Sequence, residues 1–104
     1  MGRYDVYANP VASERKHTPY VVDVQNSHID ELGTRVVIPL RREASFGPRA
    51  SGLHPLLTVS AENMVLDTSA IGAVPSSELR KPVTRLSAQR ADIQTALDTL
   101  FGAY

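Results

Sequence analysis

The chain changes its hydrophobic period once, after Ser87, and that change limits what it can fold into more than any single motif does. Before it, apolar and polar residues alternate, the pattern of strands with one face on a core. In RYDVYA the residues Tyr4, Val6 and Ala8 share a face, and in PYVVDVQ so do Tyr20, Val22 and Val24. TRVVIPL sets Val36, Ile38 and Leu40 together. Pro39 has no N–H to give to a ladder, which confines that strand to an edge, a bulge or its own last residues. HPLLTVS and ENMVLDT read as two further short strands, joined by Ser60, Ala61, Glu62 and Asn63 in a hairpin-like link without a turn glycine. SAIGAVPSS is a short strand stopped by Pro75. Strands this short and this numerous predict a small closed or nearly closed barrel.

After Ser87, an acceptable N-cap, Ile93, Ala96, Leu97, Leu100 and Phe101 fall at i, i+3, i+4, i+7 and i+8, the stripe of one amphipathic helix. Leu86 and Ala91 stand where a hydrophobic staple would, and Arg90 takes the place of the capping-box glutamate. Asp98 lies in the last turns, where the helix dipole opposes it by up to about 1 kcal/mol. A charge placed against local preference hints at function. The expected fold is mainly β with one C-terminal α-helix in a single domain, 1–104, with the barrel over about 1–85 and the helix over about 87–101. The chain ends ALDTLFGAY, and an aromatic Tyr104 at an end that usually frays marks it as packed or reserved for a partner.

Three segments break the alternation: NPVASERKHTP, NSHIDELG and RREASFGPRASG, all rich in Pro, Gly, Ser or charge and all expected as loops. The third sets Arg41, Arg42 and Arg49 against Glu43 alone, a basic loop suited to an acidic segment. Over the whole chain 11 Lys and Arg balance 11 Asp and Glu, so the electrostatic footprint of bulk nucleic-acid binding is missing. With no cysteine there is no disulfide framework, thiolate nucleophile or Cys-based zinc site. MGRYDVYANP lacks the apolar run of a signal peptide, and no stretch is apolar enough to span a bilayer, so a soluble cytoplasmic protein is expected.

The residues point to no catalytic chemistry and no cofactor. His17, His28 and His54 show no HExxH spacing and read as solvated or structural; no site for a metal is expected. No Gly-x-Ser-x-Gly elbow and no phosphate-cradling glycine pattern is present. Asp23, Asp30, Glu31 and Asp67 are scattered over strand faces and turns, where solvated charges are the expectation. A binding protein, not an enzyme, is what these residues suggest.

VVDVQNSHID, then TRVVIPL, then GAVPSSELRKPVTRLSAQRADIQTALDTLF resemble, in order and spacing, the CcdB family of bacterial toxins from toxin–antitoxin modules, over about residues 4 to 101. The resemblance implies an SH3-like β-barrel with a C-terminal helix, a homodimer, binding to the A subunit of DNA gyrase that traps the enzyme on cleaved DNA, and neutralisation by a CcdA-like antitoxin with a flexible, acidic tail. It implies no direct contact with nucleic acid and none with a membrane. In the family the last three residues form the gyrase-contacting tip, paired across the dimer two-fold. That tip commonly presents a tryptophan stacked on a gyrase arginine, a cation–π contact worth about 0.5–2 kcal/mol. Here Gly102 stands in its place, Ala103 where a glycine is usual, and Tyr104 where an aliphatic residue usually ends the chain. By the same resemblance Tyr4, Tyr7, Asn26, His28, Ile29 and Asp98 line the gyrase-facing surface. Arg15, Lys16, Arg41, Arg42 and Arg49 fall where antitoxins make contact, an arrangement that favours electrostatic steering. The alternatives are a CcdB-fold protein that has lost or changed its gyrase target, and a MazF-like endoribonuclease toxin, which shares the barrel.

Overall fold

The alternating segments become seven short strands in a computed structural model that describes residues 2–29 and 32–102. In chain order they are β1 (Asp5–Ala8), β2 (Tyr20–Asp23), β3 (Thr34–Arg42), the single-turn helix α1 (Glu43–Phe46), β4 (Leu56–Val59), β5 (Glu62–Leu66), β6 (Gly72–Pro75), β7 (Thr84–Arg85) and the helix α2 (Arg90–Phe101). A 3₁₀ turn at Ser87–Gln89 leads into α2. No helix among the described residues is long and apolar enough to cross a membrane.

All pairings are antiparallel and follow the path β4-β5-β3-β2-β1-β7, with β6 also beside β3. The sheet curls into a half-barrel whose end strands, β4 and β7, do not pair with each other among the described residues. One gap is filled by a side chain: the Gln89 amide accepts the Thr58 N–H and donates to the Thr58 carbonyl, each at 2.9 Å, as a partner strand would. The edge strand β4 is thereby tied to the start of α2.

Pro39 sits inside a central strand, neither at an edge nor at a strand end. Its carbonyl accepts the Asp67 N–H at 3.0 Å, so its nitrogen faces the same side. On that side β3 pairs with β6 up to Val37 and with β5 from Leu40, so the missing donor falls where the partner strand changes. The β4–β5 hairpin turns on two residues alone, Ser60 (φ 50°) and Ala61 (φ 67°), with Val59 opposite Glu62. Such a turn needs left-handed backbone at both central positions, which glycine or asparagine supplies more easily than alanine.

The alternation puts one face of the sheet on the main core. Val6, Val22, Val24, Ile38 and Leu40 are buried there with Leu57, Val59, Met64 and Leu66, and Ile93, Ala96 and Leu97 of α2 cover them. Tyr4, Tyr20 and Val36 pack at its margin, whereas Ala8 is exposed. The intervening residues are apolar too: Tyr7, Val21 and Val37 form a second cluster on the opposite face with Leu79 and Val74. Ala91 is exposed, so no staple forms with Leu86, and Leu100 is half-buried.

Candidate functional site

The segment after β2 is fixed by a buried ion pair. Asp23 and Arg35 lie opposite the main core with side chains 0% and 1% exposed, and Oδ2 of Asp23 accepts from Nε of Arg35 at 2.7 Å. Asp23 is therefore no solvated charge: its other oxygen accepts the Gln25 N–H at 2.9 Å. The Gln25 side chain donates to the Ile29 carbonyl at 2.5 Å and accepts the Val36 N–H at 3.0 Å, while Arg35 Nη1 donates to the Ile29 carbonyl at 3.4 Å. Held from below in this way, residues 26–29 fold over an Asn26 turn in which Oδ1 of Asn26 accepts the His28 N–H at 3.0 Å. Asn26, His28 and Ile29 are all exposed.

Arg3 joins this loop to α2. Its N–H donates to Oγ of Ser27 at 3.1 Å, its Nη2 donates to Oε1 of Gln94 at 3.2 Å, and its guanidinium stands 5.2 Å from the centre of the Tyr4 ring. Gln94 passes the connection on, donating to Oδ1 of Asp98 at 3.1 Å. Tyr4 holds a left-handed backbone (φ 74°), unusual for a bulky side chain. Two hydrogen bonds hold it there: its N–H donates to the Asp23 carbonyl at 2.6 Å, and its carbonyl accepts the Leu86 N–H at 2.9 Å.

α2 stops at Gly102, which is left-handed (φ 72°, ψ 40°) and donates its N–H to the Asp98 carbonyl. A Cβ on Gly102 would meet nothing within 4 Å, so the backbone conformation, not lack of space, is what favours glycine. Phe101 is left 70% exposed beside a groove of about 330 Å³ lined by Val24, Val36, Ile71 and Leu97. Arg3 thus links Tyr4, the loop that carries Asn26, His28 and Ile29, and the Asp98 face of α2, the helix that ends at Gly102. Ala103 and Tyr104 lie outside the described residues.

Tyr7 does not join them. It is 1% exposed in the second cluster, and its hydroxyl has no hydrogen-bond partner among the described residues. Burial first, then the carboxylates of Asp5 and Asp23, push its phenol up to about 12, with Arg35 opposing. Arg3 and Gln94 are the members that sequence reasoning missed. The i, i+4 spacing of Gln94 and Asp98 was a local signal. Arg3 gave none, because it meets Gln94 across 91 positions of chain.

The basic residues gather elsewhere. Arg41 and Arg42 are strand residues at the end of β3, not loop residues, and α1 follows them directly. Arg41 Nε donates to Asp67 at 2.6 Å and its Nη1 to Thr18 at 2.7 Å. Arg42 donates to Glu62 at 2.5 Å and to the Lys16 carbonyl at 3.1 Å. Lys16 is exposed, Arg15 gives Nε to the Asn9 carbonyl at 2.7 Å, and Arg49 donates to the His54 carbonyl at 3.1 Å. Asp67, too, is engaged rather than merely solvated: Nε2 of His54 stands 3.7 Å from its second oxygen. Nδ1 of His54 accepts the Ala50 N–H at 3.0 Å, and the ring meets Phe46 edge-on at 4.8 Å. His17 contacts Ser45 at 2.7 Å, and His28 stands in the loop above β2, so the three histidines occupy separate places. The described residues hold no group of three or more potential metal ligands.

A family model described as CcdB protein matches residues 3–102, which takes in the sheet and both helices. That match spans nearly the whole sequence, and on it the chain belongs to the CcdB family of toxin–antitoxin toxins.

Proposed function

We propose that the chain is the toxin of a type II toxin–antitoxin module and acts by binding, without catalysis, on the A subunit of DNA gyrase, stabilising the cleaved-DNA complex. A cognate CcdA-like antitoxin neutralises it. The observation that carries the gyrase half is the surface that Arg3 assembles from Tyr4, the 26–29 loop and the Gln94–Asp98 face of α2, ending in exposed Phe101. Aromatic and arginine side chains of this kind dominate binding energy at protein interfaces. The apolar groove beside Phe101 supports a homodimer, in which two such surfaces meet a two-fold enzyme with duplicate contacts. By linkage the toxin traps the cleaved state only by binding it better than the closed one.

The test is a plasmid cleavage assay with purified gyrase and ATP, comparing the full chain with one lacking residues 102–104. Linear DNA from the full chain alone supports poisoning through this end of the molecule. Gly102 favours the second reading, a changed or lost gyrase target: a left-handed glycine ends the helix, at the place where, by the resemblance, the family's tip commonly presents a tryptophan. No cleavage from a folded, dimeric full chain selects that reading.

A further inference from the structure

The segment between α1 and β4 is tied from several sides around a pocket of its own. Arg49 Nη1 donates to the His54 carbonyl at 3.1 Å, the Ala50 N–H donates to Nδ1 of His54 at 3.0 Å, and the Ala50 carbonyl accepts the N–H groups of Leu53 and His54 at 3.1 and 3.0 Å. From outside, Thr68 Oγ1 donates to the Leu53 carbonyl at 2.6 Å, and Gly52 lies against α2, where a Cβ would stand 3.5 Å from Thr99 Oγ1. Arg49, Ala50, Ser51, Gly52, His54 and Pro55 line the pocket, which has a volume of about 360 Å³. Its charge sets it apart. The clefts beside Pro10 have Glu78 in their walls and the groove beside Phe101 has Asp98, whereas no carboxylate lines this pocket and Arg49 is its sole permanent charge. Among the described residues Arg49 is in no ion pair, and its one bond to a carbonyl leaves most of its donors open. Asp67 meets the His54 ring through the other nitrogen, Nε2, and is held by Arg41. The N–H groups of Ser51 and Gly52 and the Ser51 hydroxyl meet no acceptor among the described residues.

We propose that this pocket is a binding site for a phosphate group, free or carried by a small ester. The oxygens of a tetrahedral phosphate accept from the guanidinium fork, the Ser51 hydroxyl and the N–H groups of Ser51 and Gly52 together, a spread of donors that the two oxygens of a planar carboxylate match less well. A guanidinium that is unpaired beforehand surrenders no internal ion pair to bind. A loop already held by its own hydrogen bonds loses little freedom when the anion enters. One cation on a chain of zero net charge suits a single phosphate and not the run of charges on a nucleic-acid backbone. The proposal rests on this loop alone and on neither half of the proposed function.

The experiment is an amide NMR titration of the intact protein at constant ionic strength with four probes: inorganic phosphate, glycerol 3-phosphate, acetate and a short single-stranded DNA oligonucleotide. The expected result is saturable shifts of the Ser51 and Gly52 amides with both phosphates, at a dissociation constant of about 1 mM, and none with acetate over the same range. The lower of the two constants tells carried phosphate from free. Arg49→Gln weakens binding about tenfold and Ser51→Ala severalfold. Arg80→Gln, at an exposed arginine that lines the cleft beside Pro10 with Arg15, leaves it unchanged. Thermal melts of each variant verify folding, and Ser51→Ala removes a hydroxyl that holds nothing among the described residues, so it tests the site even if Arg49→Gln loosens the loop. Absent or unsaturable shifts with both phosphates, an equal response to acetate, tighter binding of the oligonucleotide, or unchanged binding in both Arg49→Gln and Ser51→Ala overturns the proposal.

Discussion

The two faces of the sheet are stabilised by different means. One is closed by α2, whose Ile93, Ala96 and Leu97 complete an apolar core built from every second residue of the strands. The other is only partly covered, by Leu79 and Val74, and at its buried centre carries an ion pair, Asp23–Arg35, and an unpartnered tyrosine hydroxyl. A helix laid on a sheet stabilises through apolar area and asks little of geometry. A buried ion pair stabilises little net, but it fixes positions, and here it fixes the loop that carries Asn26, His28 and Ile29. The first face is a means of folding and the second a means of presenting residues.

The largest test of that contrast breaks the ion pair. Arg35→Ala leaves Asp23 buried without its partner and is expected to cost about 3–5 kcal/mol in urea unfolding. The double variant Asp23→Leu/Arg35→Leu recovers most of that stability while weakening gyrase binding, because the loop loses its anchor. If the double variant binds as well as the parent, the pair is structural filling and the contrast fails.

On the helix-covered face Ile93→Ala is expected to cost about 2–5 kcal/mol, with no separate effect on binding once folding is allowed for. Denaturant titration alongside a gyrase pull-down measures both. A smaller effect sharpens the picture of the open face through pH. Tyr7 sits near 12 when folded against an unfolded value of about 10, so between those values the unfolded chain releases a proton that the folded chain keeps. Stability falls as pH rises through that window, by about 2 kcal/mol, and Tyr7→Phe flattens the slope. At neutral pH the same variant removes a buried hydroxyl without a partner and is expected to raise stability by about 1 kcal/mol. Thermal melts at pH 7 and pH 11 read both arms. The smallest effect lies on neither face: Ala61→Gly relieves left-handed strain in the β4–β5 turn and is expected to raise the melting temperature by a few degrees, about 1 kcal/mol.

Much of the first face was legible in the sequence. Tyr4, Val6, Tyr20, Val22, Val24, Val36, Ile38 and Leu40 alternate and all reach the main core, and the stripe of Ile93, Ala96 and Leu97 gives the helix that covers them. The second face was hidden by the same alternation, because a period of two reports one apolar side and takes Tyr7, Val21 and Val37 for the outer one. Asp23 looked like a surface charge since its partner lies in the next strand, and strand register is not written in local spacing. The site was legible only in its local parts. Asn26, His28 and Ile29 lie in one loop and Asp98 on one helix face, whereas the contacts of Arg3 that unite them reach across 24 and 91 positions of chain.

If that account holds, gyrase recognition belongs to the surface that joins the anchored 26–29 loop to the end of α2 and not to the basic residues gathered elsewhere. Gyrase-dependent plasmid cleavage by two folded variants side by side, Phe101→Ser and Arg15→Glu/Arg80→Glu, separates the two. Phe101→Ser, at a side chain 70% exposed and so free to change without unfolding the protein, is expected to lose most of the linear product while the double variant keeps it. Undiminished cleavage by Phe101→Ser, or its loss in the double variant, would contradict that assignment.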